Sequence, residues 1–400
     1  MLSNIRNLLI IGLDTAALAC SAKNTGHEVY CVDYFGDSDL KKTCAFSLSV
    51  IDKRNSECSG KIHRDFNPKG ILVLVKRLIE KHKVDGILLA SGLEDHPQVL
   101  SALSEWVPII GNDYKTIEKV RNKENFFNEL KRIRVRCRET RVVTNLEEAQ
   151  RNSRDIGYPV VIKPFKGFGG FGIQKITNPK KLEASFRHIS PEKKFLIQKY
   201  IKGIAASASV ISTKERARTL TVNEQLLGDH SLGQVEPFGY CGNIVPLSSS
   251  RSVMDGCVEV SEKVVTNFNL VGSNGVDLVI TEEGKPYVIE VNPRFQGTLE
   301  CVERVLHINV VQAHIDACVS GVLIEAGKTD HFCVRLIVYA LKRSRIPVLD
   351  GVEGIRNIPF KDLIVEKGEP ICSIIIEDSS RSAALRKARN SAKRIYLSIV

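Results

Sequence analysis

From residue 7 the chain alternates short, wholly apolar runs with stretches of helical spacing, and this alternation restricts the fold more than any other feature. NLLIIG (7–12) ends in Gly12, DTAALACSAKNTG (14–26) stops at Gly26, HEVYCVD (27–33) follows, and ILVLVKRLIEKHKV (71–84) leads into DGILLA (85–90). Strand-length apolar runs separated by helices imply a parallel sheet of the doubly wound kind. Such sheets take ligands beyond the carboxyl ends of their strands. Those ends carry Gly12 with Asp14, Asp33 with Tyr34, and SGLED at 91–95. Asp14, Asp33, Ser91 and Glu94 are therefore candidate substrate contacts, although each is equally suited to a helix N-cap or a turn.

A polar stretch at Gly111–Asp113 separates this unit from a helix expected over 114–132, and from residue 140 the texture changes. Strands and helices now come in runs, as in an α+β unit with antiparallel pairing. Near the end, short strands (333–341, 371–377) accompany an Ala-rich helix whose apolar positions 384, 385, 388, 392 and 395 follow helical spacing. The expected organisation is an α/β domain over 1–112, an α+β domain over 113–322 with a lid at about 137–202, and a small α/β domain over 323–400.

Composition narrows the partners. Lys and Arg number 57 against 46 Asp and Glu, a formal charge of +11. That surplus suits nucleic acid, acidic lipid or a phosphate-bearing small molecule. No apolar run approaches the roughly 18 residues of a membrane span. Aromatics are only 6% and the basic residues are dispersed, which argues against nucleic acid. The run RIRVRCRETR (132–141) reads as the exposed face of a strand. Eleven cysteines, odd in number and without a CxxC pair, fit reduced thiols and a cytoplasmic location.

GFGGFG (167–172) satisfies the G-x-G-x-x-G pattern, but a dinucleotide fold requires a helix after it. Here strand-like IQKI follows, so strand, glycine loop and strand describe a hairpin flap. Its glycines let backbone N–H groups approach phosphate oxygens. Lys163 ends the preceding strand as a point charge for the same phosphates. Phe168 and Phe171, on an otherwise small-residue tip, point to a lid that covers something.

VDLVITEEGKPYVIEVNPR (276–294) carries the sharper signal. If residues 282–285 form a four-residue loop, 281 faces 286 and Asp277 falls opposite Glu290. Alternation puts Glu290 and Asn292 on one face. Directly opposed carboxylates lie roughly 4.5–5.5 Å apart at Cβ and repel one another. A cation between them relieves that repulsion, and three oxygen ligands on a hairpin suit Mg²⁺. Arg294 is placed to stabilise charge on a transferred phosphoryl group.

Taken in order, these residues resemble the ATP-grasp enzymes, and the final segment resembles the small carboxyl-terminal domain of the branch containing biotin carboxylase and glycinamide ribotide synthetase. The overall texture, with DYFGDSDL, SGLED and EVNPRFQGTLE, is similar to a group of predicted carboligases within that superfamily. The resemblance implies nucleotide-binding lysines at Lys123 and Lys163, and a phosphate loop at Gly167, Gly169 and Gly170. It also implies an adenine-holding hinge at Gln198, Lys199 and Ile201, acting partly through backbone groups. Asp277, Glu290 and Asn292 fall on the ligands of two Mg²⁺ (or Mn²⁺) ions, and Arg294 and Lys163 on catalytic positions. Where many members carry a glutamate contacting ribose, this chain has Ala205, leaving Ser207 or Ser209 for that contact. The implied reaction joins a small carboxylate to an amine or thiol with ATP, through an acylphosphate. A biotin-carboxylase-like reaction of bicarbonate through carboxyphosphate is the alternative, since Gln296 follows Arg294 at the spacing of that branch. The implied partners are ATP and small molecules, neither nucleic acid nor membrane, and a homodimer is consistent with the branch.

Overall fold

The structure is a computed structural model that describes residues 5–51, 68–167, 169–186, 194–325, 327–349 and 351–399. Phe168 therefore lies outside the described residues. β1 (Asn7–Gly12), β2 (Glu28–Asp33), β3 (Phe46–Ser49) and β4 (Gly86–Leu89) form a parallel sheet in the order β3-β2-β1-β4. This is the arrangement the alternating pattern predicts. One face packs on the helices Pro68–Ile79 and Pro97–Trp106 through Leu9, Ile11, Ile71 and Leu100. The other packs through Leu8 and Ile10 on residues of the helices Leu299–Leu306 and Val310–Ile315. Both faces are covered, so the strands read as continuous apolar runs rather than alternating ones.

Antiparallel pairing takes over as the change of texture implies. β5 (Thr140–Val143), β6 (Val160–Pro164), β7 (Gln174–Ile176) and β8 (Phe195–Lys199) form a small sheet in the order β5-β8-β6-β7. It has its own core, built on Val160, Ile162, Leu182 and Ile197 with helix Leu146–Ile156. β6 and β7 pair directly, so the glycine loop is the tip of a hairpin and opens no helix.

The largest sheet has eight strands. They are β9 (Ile204–Ser212), β10 (Ala217–Leu227), β11 (Tyr240–Val245), β12 (Gly272–Ile280), β13 (Pro286–Asn292), β14 (Phe332–Tyr339), β16 (Ile355–Arg356) and β18 (Pro370–Asp378). Their order is β13-β12-β9-β10-β11-β14-β18-β16, and β15 (Ser344–Arg345) and β17 (Ile364–Val365) make a separate ribbon. The carboxyl-terminal strands thus continue the central sheet through β11 and β14. Helix Arg381–Ser398 covers them, burying Ala384, Ala388, Ala392 and Ile395. Some of its basic residues make ion pairs: Arg381 pairs with Glu224, Lys387 with Asp378 and Arg389 with Asp229.

Two local departures matter for the site. The expected helix over 114–132 is broken at Asn122 into Tyr114–Arg121 and Lys123–Arg132, because the Asn122 side chain accepts from Asn125 N and caps a new helix. In the β12–β13 hairpin, Asp277 does face Glu290, but Ile280 pairs with Pro286, one residue out of the expected register. A bulge between Asp277 and Leu278 restores the pairing. The longer turn and the bulge compensate, since one extra residue on β13 shifts the pairing by one.

Candidate functional site

The carboxyl ends of β1 and β4, the glycine hairpin and the hairpin β12–β13 converge on a cavity of about 610 Å³. The helix break at Asn122 turns Arg121 and Lys123 towards the same place, and both meet Glu290. Lys123 Nζ lies 3.0 Å from Glu290 Oε1, Arg121 Nη1 hydrogen-bonds the same oxygen, and Lys163 Nζ holds Oε2. Glu290 thus faces three cations, two of which the sequence reading named. Burial raises its pKa, but the charges of Lys123, Lys163 and Arg121 together hold it well below the usual carboxylate range. The Lys123 pKa falls as well, to about 7, through burial and the repulsion of Arg121; for a base that shift disfavours the charged form.

Asp277 has a different environment. Gln225 Nε2 donates to its Oδ1 at 2.9 Å and Asn292 Nδ2 to its Oδ2 at 3.0 Å. Burial and then the Glu290 charge push its pKa up to about 6. That residual repulsion is what a divalent cation would relieve, and two carboxylates with an amide oxygen form a hard donor set suited to Mg²⁺. The residues therefore fit the ion. In this structure, however, lysine and arginine side chains supply the counter-charge expected from a metal.

Above this cluster the glycine hairpin is docked in a closed position. Gly167 N donates to Asp95 Oδ2 at 3.2 Å and Tyr240 N donates to Gly169 O at 3.0 Å. Gly170, at φ +80°, lies so close to Phe238 that an added Cβ would sit 1.9 Å from its carbonyl oxygen, so the contact requires glycine. Phe171 lines the cavity roof.

Asp95 and Arg121 were not anticipated as site residues. Arg121 forms a bidentate pair with Asp95, at 2.7 and 2.9 Å, the geometry that gives Arg–carboxylate pairs their specificity. One signal was available: Asp95 adjoins Glu94 in the strand-end motif, and Arg121 stands two residues before Lys123. Glu94 itself accepts from Arg294 Nε at 2.5 Å, while Arg294 Nη1 donates to Phe295 O at 2.7 Å. This ties the first sheet to the end of β13.

At another part of the cavity wall, Arg335 donates to Asp14 Oδ2 and to Gly297 O, at 2.8 and 2.6 Å. Asn357 Nδ2 holds the other Asp14 oxygen at 2.8 Å. Ser91 also lines the cavity. Asp33 does not belong there. It is buried, and its oxygens accept from Thr15 N, Thr15 Oγ1 and Gly36 N, so its carboxylate ties the turn after β1 to the turn after β2.

The nucleotide-hinge residues divide in the same way. Gln198 lines the cavity with its Oε1 buried and unpartnered. Alternation along β8 turns Lys199 to the opposite face, where Nζ donates to Ile156 O and Gly157 O at 3.2 and 3.0 Å. Neither the Lys199 nor the Ile201 side chain lines the cavity. Beside Gln198, Ala205 and Ser207 line the wall, whereas Ser209 is buried between Thr298 and Asn223. Arg138, within the run read as solvated, instead faces the cavity with a buried, unpartnered Nε.

Among the described histidines and cysteines, His96 and Cys372 line the cavity. His307 caps the carboxyl end of helix Leu299–Leu306, while His314 sits in helix Val310–Ile315. The two therefore lie on different elements. The described cysteines are all free. No helix among the described residues is long and apolar enough to cross a membrane.

The chain is similar in sequence and in fold to known proteins. Residues 120–298 match the family model of the ATP-grasp domain. An uncharacterized protein of Methanocaldococcus jannaschii is 27% identical over 376 residues, 94% of this chain and 89% of that protein. The carbamoyl phosphate synthase large chain of Clostridium acetobutylicum is 27% identical over 259 residues, 63% of this chain, which covers only 24% of that larger protein. Among solved structures, the biotin carboxylase–βγ-ATP complex of Campylobacter jejuni superposes with a TM-score of 0.74 at 17% identity, over 99% of this chain and 92% of that one. The L-amino acid ligase of Bacillus licheniformis gives 0.73 at 15% identity, over 98% of both chains. The chain thus carries an ATP-grasp domain at residues 120–298, and the glycine hairpin, the paired acids and the lysines lie within it.

Proposed function

We propose that this protein is an ATP-dependent ligase that joins a small carboxylate to an amine, or to a thiol, through an acylphosphate. The observation that carries the reading is the exchangeable charge cluster around Glu290. Lys123, Lys163 and Arg121 hold it by the ends of long side chains, beneath a lid whose glycines face the same cavity. A triphosphate entering beneath the lid offers the two lysines new anionic partners and frees Glu290, with Asp277 and Asn292, to hold Mg²⁺. That ion would supply charge neutralisation to the phosphate oxygens. The free Oε1 of Gln198 offers an acceptor for an amino group of the base, and Ser207 an oxygen near the ribose.

In the first step a carboxylate oxygen attacks the γ-phosphorus, and the bond to the departing ADP oxygen breaks. Lys163 and Arg294 stabilise the charge that develops on the transferring oxygens. An amine nitrogen then attacks the acyl carbon, the bond to the phosphate oxygen breaks, and the nitrogen loses a proton. Between the steps the closed hairpin, with Phe171 in its roof, keeps water from the acylphosphate. Asp14, Ser91, Glu94 and Arg335 line the wall where the two small substrates would be read.

An ADP-release assay over pools of carboxylates and amines, with hydroxylamine present, tests the reading. The expected result is ADP formation dependent on one acid pool and accumulation of the hydroxamate, both lost in Arg294→Ala. ADP release that needs bicarbonate and no organic acid would select the carboxylation reading, which the position of Gln296 in the cavity wall favours. Turnover in Arg294→Ala equal to that of the unaltered protein would overturn both.

A further inference from the structure

Away from the cavity, the fold brings together three side chains that sequence distance separates. His307 follows helix Leu299–Leu306, and Asp330 and His331 immediately precede β14. One ligand-capable atom from each lies within 4.8 Å of the others. The two imidazole centroids are 5.6 Å apart with their planes inclined at 37°. We propose that His307, Asp330 and His331 form a zinc site that clamps the end of this helix to the start of β14.

The donor set selects the metal. Two imidazoles and one carboxylate suit a borderline ion such as Zn²⁺, whereas Mg²⁺ and Ca²⁺ prefer oxygen throughout. Zinc takes nitrogen and oxygen at about 2.0–2.2 Å. Rotation of the exposed His307 and Asp330 side chains is enough to bring the three donors onto one ion, and their exposure gives it a path in. With three protein ligands, a water completes the coordination.

The surroundings of His331 supply an independent observation. Asp330 Oδ1 lies 2.6 Å from its Nδ1, and Glu377 Oε2 lies 3.2 Å from its Nε2. With Nδ1 on the metal beside Asp330, Nε2 is left facing the Glu377 carboxylate, placed as the outer carboxylates that orient metal-bound histidines are. Arg304 holds the other Glu377 oxygen in turn. The backbone at His307 points the same way. It caps its helix in the left-handed region, at φ +53°, where glycine is the ordinary residue. A histidine kept there at conformational cost is consistent with use of its ring.

None of these residues lines the cavity, so the site is separate from the ligase reading and is tested without turnover. The metal-free protein would be titrated with Zn²⁺ by calorimetry in excess Mg²⁺, which occupies the oxygen ligands of the cavity. One equivalent of Zn²⁺ should bind, and the melting temperature should rise with it. His331→Ala and His307→Gly should each weaken that binding at least roughly tenfold and remove the thermal shift. Because glycine suits the backbone at 307, His307→Gly should melt no lower than the unaltered protein without metal. Absence of Zn²⁺ binding, or binding unchanged in both variants, would overturn the proposal.

Discussion

Asp33, at the end of β2, and Glu290, in β13, are both recessed carboxylates in direct contact with hydrogen-bond donors. Their partners make them different objects. Asp33 is held by two backbone N–H groups and a threonine hydroxyl, from the turns that follow β1 and β2. Those donors are fixed by the fold and have nowhere else to go. Burial pushes its pKa up to about 7 even against these donors. Glu290 is held by Lys123, Lys163 and Arg121, groups on long stems that can leave for a phosphate. A shifted pKa marks both sites and so does not separate structure from function. What separates them is whether the partners can be exchanged for a ligand.

The sharpest break in this comparison is Glu290→Gln. It should lower ADP formation by about 10²–10³-fold, the usual effect of removing one preorganised electrostatic group. It should also lower stability by about 3–5 kcal/mol, because Lys163 and Arg121 lose their shared counter-charge. Steady-state ADP release and urea unfolding check the two outcomes. A variant with undiminished turnover would move Glu290 into the fixed class with Asp33.

His314 extends the fixed class to a base. Its Nδ1 accepts from Ser273 N at 2.7 Å, and Nε2–H donates to Ile110 O at 2.9 Å. Gly272 packs so tightly that an added Cβ would lie 2.3 Å from Nδ1. Burial lowers its pKa to about 4 from the ordinary 6.5. Between those values the unfolded chain takes up a proton that the native ring refuses. This contribution is therefore complete above pH 6.5 and is lost as pH falls towards 4, by about 3 kcal/mol at most. Urea unfolding across that range, compared with His314→Gln, isolates it from the carboxylates. The stability difference between the two proteins should narrow as pH falls, and a constant difference would show that the ring accepts a proton without opening its site.

Much of this was legible in the sequence, for reasons that differ by residue. The parallel sheet follows from apolar runs broken by helices, and the glycine hairpin from a loop that opens onto a strand. Asp277 opposite Glu290 was reached through a register one residue out near the turn. A bulge corrected it, and bulges leave little trace in an alternating pattern. Lys123 and Lys163 were named, but not their contact with Glu290, which depends on the helix break at Asn122. Asp95, Arg121 and Arg335 come from separate segments and meet only in the folded chain. Asp33 was over-read, and the direction of the Lys199 side chain was not legible, because a strand end or a hinge position does not reveal which way a side chain turns. The same holds for His307, whose partner is a histidine in another segment.

The smallest expected effect on turnover, and the closest counterpart to Glu290→Gln, is Asp33→Asn. An amide offers one acceptor where the carboxylate offers two, so its NH₂ would face either Gly36 N–H or the Thr15 donors. Leaving a buried donor unsatisfied costs about 1–3 kcal/mol, and urea unfolding should register that loss. ADP formation should stay within about twofold of the unaltered protein at a temperature where both are folded, because Asp33 does not line the cavity. The same chemical change, carboxylate to amide, would then stop the reaction at one strand and leave it running at the other. If Asp33→Asn instead lost turnover as Glu290→Gln does, fixed backbone partners would no longer distinguish a structural acid from a functional one in this fold.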